Sequence, residues 1–444
     1  MTQDTRQLVD LIIDADWVLP MISDAQPWIE HGSVVIDHTR IVAVCTQQEA
    51  RQLYRAKEQQ SLAGHALLPG FINGHGHAAM SLLRGFADDL ALHTWLNEHI
   101  WPAETKHVSE DFVRTGTQLA LAEMLLAGVT CFSDMYFFPN LTAQVAADVG
   151  IRAQICPPIL EFPTNWASNA AEYMDKALQV HADFSHHDLI KIGFGPHAPY
   201  TVSDASLEKV IQLANDHDTF IQMHIHETAS EVAQAVTEHG ERPLSRLKKI
   251  GLLSSRLQAV HMTQLLPEEI TWLAESNTSV IHCPQSNLKL ASGFCPLHEL
   301  LAANIAVAIG TDGAASNNNL DVLEEIRTAS LLAKAVSGHA ESVNAFQALQ
   351  LGTHNAATAL GLAHKIGSLQ PGLQADCIVI DLRSVNTQPV FNPLSAIAYA
   401  AQSSQISHVW VNGRLLVKNR ELQTLDLKDI LDKTQLWRKK LHST

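Results

Sequence analysis

Basic residues are scarce in this chain: 30 lysines and arginines stand against 46 aspartates and glutamates in 444 residues, a net charge of −16. A surface of that sign repels phosphate backbones, so nucleic acid is excluded as an expected partner. Long apolar runs are also missing. None is long enough to span a bilayer, and no membrane role is expected. The opening stretch, Met1 to Asp10, is polar and lacks the basic-then-apolar order of a secretory signal, so the expected location is the cytoplasm. Cysteine is sparse as well. No two of Cys45, Cys131, Cys156, Cys283, Cys295 and Cys377 sit at Cys-x-x-Cys spacing, and in a reducing compartment they read as buried free thiols. Cys131, Cys156 and Cys283 fall in apolar, strand-like runs, where packing is expected and nucleophilic chemistry is not. There is no low-complexity tract and no internal repeat. With 46% hydrophobic and 17% charged residues, the composition is that of a well-folded globular chain large enough for more than one domain.

What the chain does have is histidine, 24 copies of it. Most must be bland; His186-His187, in a polar stretch, reads as solvated surface. The informative pair is His75-Gly76-His77, which ends the apolar run Leu67 to Gly74. On an extended strand, residues two apart point to the same face. Both imidazoles can then reach one point, as a shared metal ion requires, and imidazole suits zinc and iron. A lone His-x-His is weak evidence until its surroundings are known.

The rest of the chain supplies those surroundings. Short apolar runs stop at a polar residue and are followed by segments with helical spacing, such as Leu119 to Leu126. They are 67–74 before His75, 129–133 before Asp134, 151–160, 189–194 before Gly195-Pro196-His197, 220–223 before His224, 257–260 before His261, 279–281 before His282, and 305–311 before Asp312. Eight strands alternating with helices over about 250 residues predict an α/β fold, a (β/α)8 TIM-like barrel. That fold collects its active site at the C-terminal strand ends, where these ligand-type residues stand.

His75, His77, His224 and Asp312 offer three imidazoles and one carboxylate from strands one, five and eight, a set suited to a catalytic metal that keeps a position open for water. Glu227, three residues past His224, is placed to shuttle protons, and His261 to orient or polarise the water, whose pKa the ion lowers. His282 reads as a hydrogen-bonded core residue. His226 alternates away from His224, towards the helical layer. Asp134 reads either as a strand-end cap or as a group behind the ligands.

The two ends of the chain read differently. Apolar runs at 11–13, 33–36 and 41–44 give a hairpin pattern, and 377–380, 408–411 and 415–417 give another, with Asn412-Gly413 as its turn. Residues 1–65 and 366–444 are expected to pair as one composite β-sandwich domain, with the barrel, 66–365, inserted between them. The segment 426–441, with Leu427, Ile430, Leu431 and Leu436 at helical spacing, reads as a packing helix.

Six stretches carry a resemblance. They are Pro69–Gly85 (PGFINGHGHAAMSLLRG), Trp95–Glu104 (WLNEHIWPAE), Gly195–Tyr200 (GPHAPY), His224–Thr228 (HIHET), Gly310–Leu320 (GTDGAASNNNL) and Gly367–Asp376 (GSLQPGLQAD). Together they span nearly the whole chain, which resembles the amidohydrolase superfamily and, within it, the methylthioadenosine/S-adenosylhomocysteine deaminase group. The resemblance implies a metal site of His75, His77, His224 and Asp312, with Glu227, His261 and Asp312 catalytic. It also implies that Glu104 binds the ribose diol and that His197 lies against the substrate. Dinuclear relatives place a carbamylated lysine at the end of strand four; here Lys191 lies too early, so one divalent ion is expected, Zn2+ ahead of Fe2+.

The implied reaction is hydrolytic deamination of an adenine nucleoside by a metal-activated water, releasing ammonia. Relatives that accept S-adenosylhomocysteine are expected to present arginines around strand three. Between Phe137 and Leu189 this chain has only Arg152 and Lys176, and Arg152 starts the strand, at the wrong end of the barrel. An unpaired buried carboxylate is costly, so 5′-methylthioadenosine is the expected substrate. S-Adenosylhomocysteine, adenosine, guanine and triazines are the alternatives; a free base or triazine would leave Glu104 without a purpose. A barrel that had lost catalysis should lack a ligand or the proton shuttle, and neither is missing. As in relatives, a homo-oligomer is expected.

Overall fold

Eight short strands carry the site in a computed structural model that describes residues 4–442; the first three residues of the Met1–Asp10 stretch lie outside the described residues. Strands β1 (Phe71–Asn73), β2 (Val129–Asp134), β3 (Arg152–Ile155) and β4 (Ile190–Ile192) form one four-stranded parallel sheet. Strands β5 (Ile221–Ile225), β6 (Leu257–His261), β7 (Ser279–His282) and β8 (Val307–Ile309) form a second. Backbone hydrogen bonds cross both gaps between the sheets. The Phe194 amide donates to Phe220 O (3.0 Å) and the Gln222 amide to Phe194 O (2.9 Å) on one side. On the other, the Gly74 amide donates to Ile309 O (2.7 Å) and the Asp312 amide to His75 O (3.1 Å). Glycine is required at this second crossing. A Cβ on Gly310 would lie 2.9 Å from the backbone nitrogen of His75, and one on Gly74 2.9 Å from Ile309 O.

The predicted third strand, 151–160, is two strands. After β3 come Pro157 and Pro158, which have no amide to donate, and the short strand Pro158–Ile159 pairs instead with Gly195–Pro196. Helices Glu110–Leu126, Pro139–Val149, Ala170–Phe184 and Asp204–Asp216 separate the first five strands, and Val322–Ser337 follows the last. Their ends are written locally: Ser109, Asn169 and Ser203 each accept an amide of the first turn. Gly150 and Gly338 stop two of them in the left-handed region, at φ 89° and 72°. Along β5, Ile221, Met223 and Ile225 join the apolar core between strands and helices, so Gln222 and His224 take the opposite face. Beneath the site, Ile72, Cys131, Val260, Ile281 and Ala308 pack on Ala356 and Leu360 of the segment that begins with helix His354–Ala359.

Both ends of the chain meet in one eight-stranded mixed sheet. Its order is Glu421–Leu422, Arg414–Lys418, Ile406–Val411, Cys377–Asp381, Tyr54–Pro69, Gln7–Val18, Ile29–Asp37, Arg40–Thr46. The turn at Asn412-Gly413 has φ of 53° and 75°, the pair of positive values that a two-residue hairpin favours. The terminal segments were expected to pair as one composite β-sandwich domain. Their strands are continuous because Tyr54–Pro69 pairs in parallel with Gln7–Val18 and antiparallel with Cys377–Asp381. That long strand is polar through most of 54–61 and passes the expected boundary at residue 65; its apolar end, 67–69, was read as the start of the first barrel strand, 67–74, which begins only at Phe71, after Gly70. The last helix, Leu427–His442, docks through Ile430, Trp437 and Leu441, with Trp437 5.2 Å from the Phe112 ring. Leu427, Leu431 and Leu436, at the same helical spacing, stay exposed.

Arg152 ties the strand sheet to the terminal sheet. Its Nε and Nη2 donate to the two oxygens of Asp376 (2.9 and 3.1 Å), and both side chains are buried. Its side chain does not line the cavity at the C-terminal strand ends. Removing one partner leaves the other charge buried and unpaired. Asp376→Ala should therefore cost about 3–5 kcal/mol of folding stability, read from the midpoint of chemical denaturation, and a change under about 1 kcal/mol, the range of an exposed pair, would contradict this account.

Candidate active site

The predicted ligands come together. One side-chain nitrogen each from His75, His77 and His224 lies within 4.8 Å of the others. His224 Nε2 is 3.1 Å from His75 Nε2. Asp312 Oδ1 lies 3.2 Å from His77 Nε2 and 3.6 Å from His75 Nε2. The outer nitrogen of every ring is engaged by an acceptor: His75 Nδ1 by Gln222 Oε1 (2.7 Å), His77 Nδ1 by Met135 O (2.6 Å), His224 Nδ1 by His197 O (2.7 Å). Each Nδ1 is thereby the donor, and each Nε2 lone pair is turned inward. Asp312 Oδ2 accepts from Ser286 Oγ (2.6 Å) and Ser316 Oγ (2.9 Å), which leaves Oδ1 to the histidines and the Gly313 amide.

Asp312 supplies the negative charge at this point. Burial alone would raise the Asp312 carboxyl, but hydrogen bonds from His75 and His77 hold it well below the usual range. Burial opposes charge on His77 too, yet Asp312 pushes it up to about 9. His75 and His224 are pulled down by burial and by neighbouring imidazoles. Once a cation takes the place of the proton that His77 Nε2 shares with Asp312, three imidazole nitrogens and an ionised carboxylate, all desolvated, are a donor set that fits a divalent ion.

Glu227 and His261 face one another beside this cluster, with His261 Nε2 3.8 Å from Glu227 Oε2. His261 Nδ1 lies 2.9 Å from Asn287 Oδ1, and its ring stacks on His224 at 5.5 Å. Burial pushes the Glu227 carboxyl up to about 8, and the charge of Asp312 adds to the shift. His197 stands on the other side of His224, rings 5.0 Å apart, and burial pulls it down to about 3. Several strand-end residues sit at positive φ: His226 (52°), His261 (76°) and Asp312 (62°). Such backbone persists only where its surroundings enforce it.

A cavity of about 300 Å³ opens from this cluster and is lined by His77, His197, His224, Glu227, His261 and Asp312 at one end. Glu104 lines it too, from the helix Trp101–His107, which follows a π-helical turn at Trp95–Ile100. Its Oε1 accepts from Tyr136 Oη (2.7 Å); burial pushes its carboxyl up to about 7, against the pull of that bond. Across the mouth, Asn165 Nδ2 donates to the carbonyls of Thr105 (3.0 Å) and Val108 (2.8 Å), and Phe162 lies 5.8 Å from Trp101. Among the described residues lining the cavity there is no lysine or arginine.

The residues left open by the sequence find places. Asp134 Oδ1 accepts the Ala78 amide (2.6 Å), fixing the turn after His77. His226 is buried away from the cluster and accepts the Leu244 amide at Nε2 (3.2 Å). His282 is buried, but among the described residues its Nδ1 has no hydrogen-bond partner, so it is less satisfied than expected. Lys191 is exposed on β4, and His186 and His187 are at the surface. Gln222, Tyr136 and Glu231 were not legible as site residues. Glu231 accepts the amides of His226 (3.0 Å) and Glu227 (2.7 Å); the pattern Thr228-x-x-Glu231 could have marked it as a helix cap, though not as a clamp on the loop that carries Glu227.

An amidohydrolase family model matches residues 66–416. Two 5-methylthioadenosine/S-adenosylhomocysteine deaminases are similar over nearly the full length. The one from Saccharophagus degradans is 48% identical, covering 98% of this chain and 97% of its own. The one from Teredinibacter turnerae is 47% identical, covering 99% of each. A crystal structure of an adenosine deaminase from Xanthomonas campestris with bound zinc superposes with a TM-score of 0.97 at 44% identity, over 99% of this chain and 100% of that one. The chain belongs to the amidohydrolase family, a TIM-barrel-type α/β hydrolase acting on C–N bonds, and within it to the methylthioadenosine/S-adenosylhomocysteine deaminase group.

If the four converging groups hold one cation, His224→Ala and Asp312→Ala should each lose bound zinc and activity in parallel, as measured by elemental analysis and ammonia release. Full activity with one metal per chain in either variant would contradict the assignment.

Proposed function

We propose that this enzyme hydrolytically deaminates an adenine nucleoside, 5′-methylthioadenosine foremost, to 5′-methylthioinosine and ammonia. The observation that carries the reading is the cavity: a cluster for a cation at one end, a buried carboxylate further along, and walls without lysine or arginine. In this reading His75, His77, His224 and Asp312 hold one divalent ion, zinc ahead of ferrous iron. The two parallel sheets are the halves of a closed (β/α)8 barrel within 66–365. The terminal sheet curls into a sandwich of 1–65 with 366–444, supported by the shared core of Ile13, Val34 and Ile41 with Cys377, Val379 and Trp410. Five of the six cysteines are buried free thiols, which suits a reducing cytoplasm.

When bound, the ion supplies a water that ionises near neutral pH. Glu227, whose carboxyl titrates near neutrality, takes a proton from the attacking water and delivers it to N1 of the purine. It then helps protonate the departing amine at C6. His261, kept neutral by burial, presents Nε2 to that water and fixes its direction. As the C6 oxygen becomes a carbonyl, Asp312 receives the water's second proton and passes it through Glu227 to the amine, so that the C6–N bond breaks and ammonia leaves. His197 stands against the purine, and Glu104 accepts hydrogen bonds from the ribose hydroxyls, with Tyr136 holding its other oxygen. The apolar walls, including Trp95, Trp101 and Phe162, take the methylthio group.

A homocysteine tail would bring a carboxylate into this cavity with no cationic partner. A mismatch of about 3 kcal/mol is roughly a hundredfold in rate, so kcat/KM for methylthioadenosine should exceed that for S-adenosylhomocysteine by about that factor. Equal efficiency on the two would refute the electrostatic argument. Glu104→Ala should impair nucleosides and leave any weak turnover of free adenine nearly unchanged; equal losses on both would remove Glu104 from ribose binding. Glu227→Gln should keep its metal and fold and lose roughly 10²–10⁴-fold in kcat, while loss of the metal in that variant would make Glu227 a ligand.

A further inference from the structure

The three histidines of the cluster are not held alike. His77 and His224 give their Nδ1 protons to backbone carbonyls, Met135 O and His197 O. No side-chain substitution removes those acceptors. His75 alone depends on a side chain, the amide oxygen of Gln222, 2.7 Å away. Gln222 has no exposed surface and lies on the inner face of β5, two residues before His224.

The direction of this amide is fixed twice over. Gln222 Nε2 lies 3.0 Å from Gly74 O, a pure acceptor, so nitrogen must face that way and oxygen must face His75. The same Nε2 donates to Gln258 Oε1 (2.9 Å) on the neighbouring strand, where the two glutamines are register partners. Gln258 Nε2 donates to Gln154 Oε1 (3.1 Å), and Gln154 Nε2 donates to Leu360 O (2.7 Å), a second pure acceptor. The chain of amides runs one way, from the imidazole to a carbonyl at the far side of the interior. Three buried glutamines where a barrel places branched apolar residues are costly unless every group is paired. Packing does not account for them.

We propose that Gln222 is a positioning residue for the metal: it holds His75 in the Nδ1–H tautomer and so keeps the Nε2 lone pair on the shared point. Gln258 and Gln154 hold Gln222 in the required orientation. The inference rests on the metal-site reading above. It predicts an order among substitutions opposite to that of a packing role. Gln222→Leu fills the space but removes the acceptor. Gln222→Glu keeps an acceptor at His75 but buries a charge and takes the donor from Gly74 O, Ser133 Oγ and Gln258 Oε1, which a purely structural role would tolerate worst.

Zinc affinity by chelator competition, on full-length protein whose fold is checked by its thermal transition, separates the two. Gln222→Leu should bind zinc about 10–100-fold more weakly, and Gln222→Glu should stay within about threefold of wild type, the smallest change that affinity reading resolves against that range. Wild-type affinity in Gln222→Leu, or an equal loss in both variants, overturns the proposal. Wild-type protein that binds no zinc overturns the metal site itself and this inference with it. In 15N–1H spectra of histidine-labelled, zinc-loaded wild type, the His75 Nδ1 proton should exchange slowly with solvent. A proton there that exchanges as freely as in an exposed imidazole overturns the proposal without any variant.

Discussion

Everything else in this molecule follows from turning three imidazole lone pairs towards one point and keeping them there. Imidazole nitrogens 3.1 Å apart, as in His75 and His224, repel unless a proton or a cation lies between them. The arrangement holds because the outer nitrogen of each ring is tied elsewhere, to Gln222, to Met135 and to His197. Asp312, gripped at Oδ2 by Ser286 and Ser316, closes the set with Oδ1. The backbone shares the cost, since His261 and Asp312 leave their strands at positive φ.

The parallel strands make this possible. Their ends deliver side chains from residues 75 to 312 to one face, and the glycines at 74 and 310 let β1 and β8 approach closely enough for His75 and Asp312 to meet. The cavity is then completed by segments that are not strands. Helix Trp101–His107 brings in Glu104, and Asn165 from the loop after Pro158–Ile159 fastens its C-terminal carbonyls. One end of the space is thus set by the scaffold and the other by two segments stitched across it. This division places the reacting end on rigid elements and leaves substrate choice to the walls.

How much of this the sequence reveals depends on how far a contact reaches. His75, His77, His224, Glu227, His261 and Asp312 were legible because each stands at or just past the end of an apolar run, and the period of a strand says which way it faces. Glu104 gave no such signal, and His197 stood just past an apolar run without a role; the resemblance supplied the role of each. Gln222, Tyr136 and Glu231 were illegible for another reason: a glutamine inside an apolar strand reads as an interruption, and its use lies in residues as distant as Gly74 and Leu360. The strand Tyr54–Pro69 escaped because its exposed half is polar and carries no periodic mark. The pairing of the two chain ends was read from hairpins alone, and hairpin patterns do not record that Tyr54–Pro69 joins them.

The central claim is that one cation sits among the Nε2 atoms of His75, His77 and His224 and the carboxylate of Asp312. Diffraction from zinc-loaded crystals at the zinc absorption edge tests it directly. A single anomalous peak at bonding distance, about 2.0–2.1 Å from imidazole nitrogen, to all three histidines is the predicted result. A peak elsewhere, a second peak of equal height beside it, or none at this point would contradict the account.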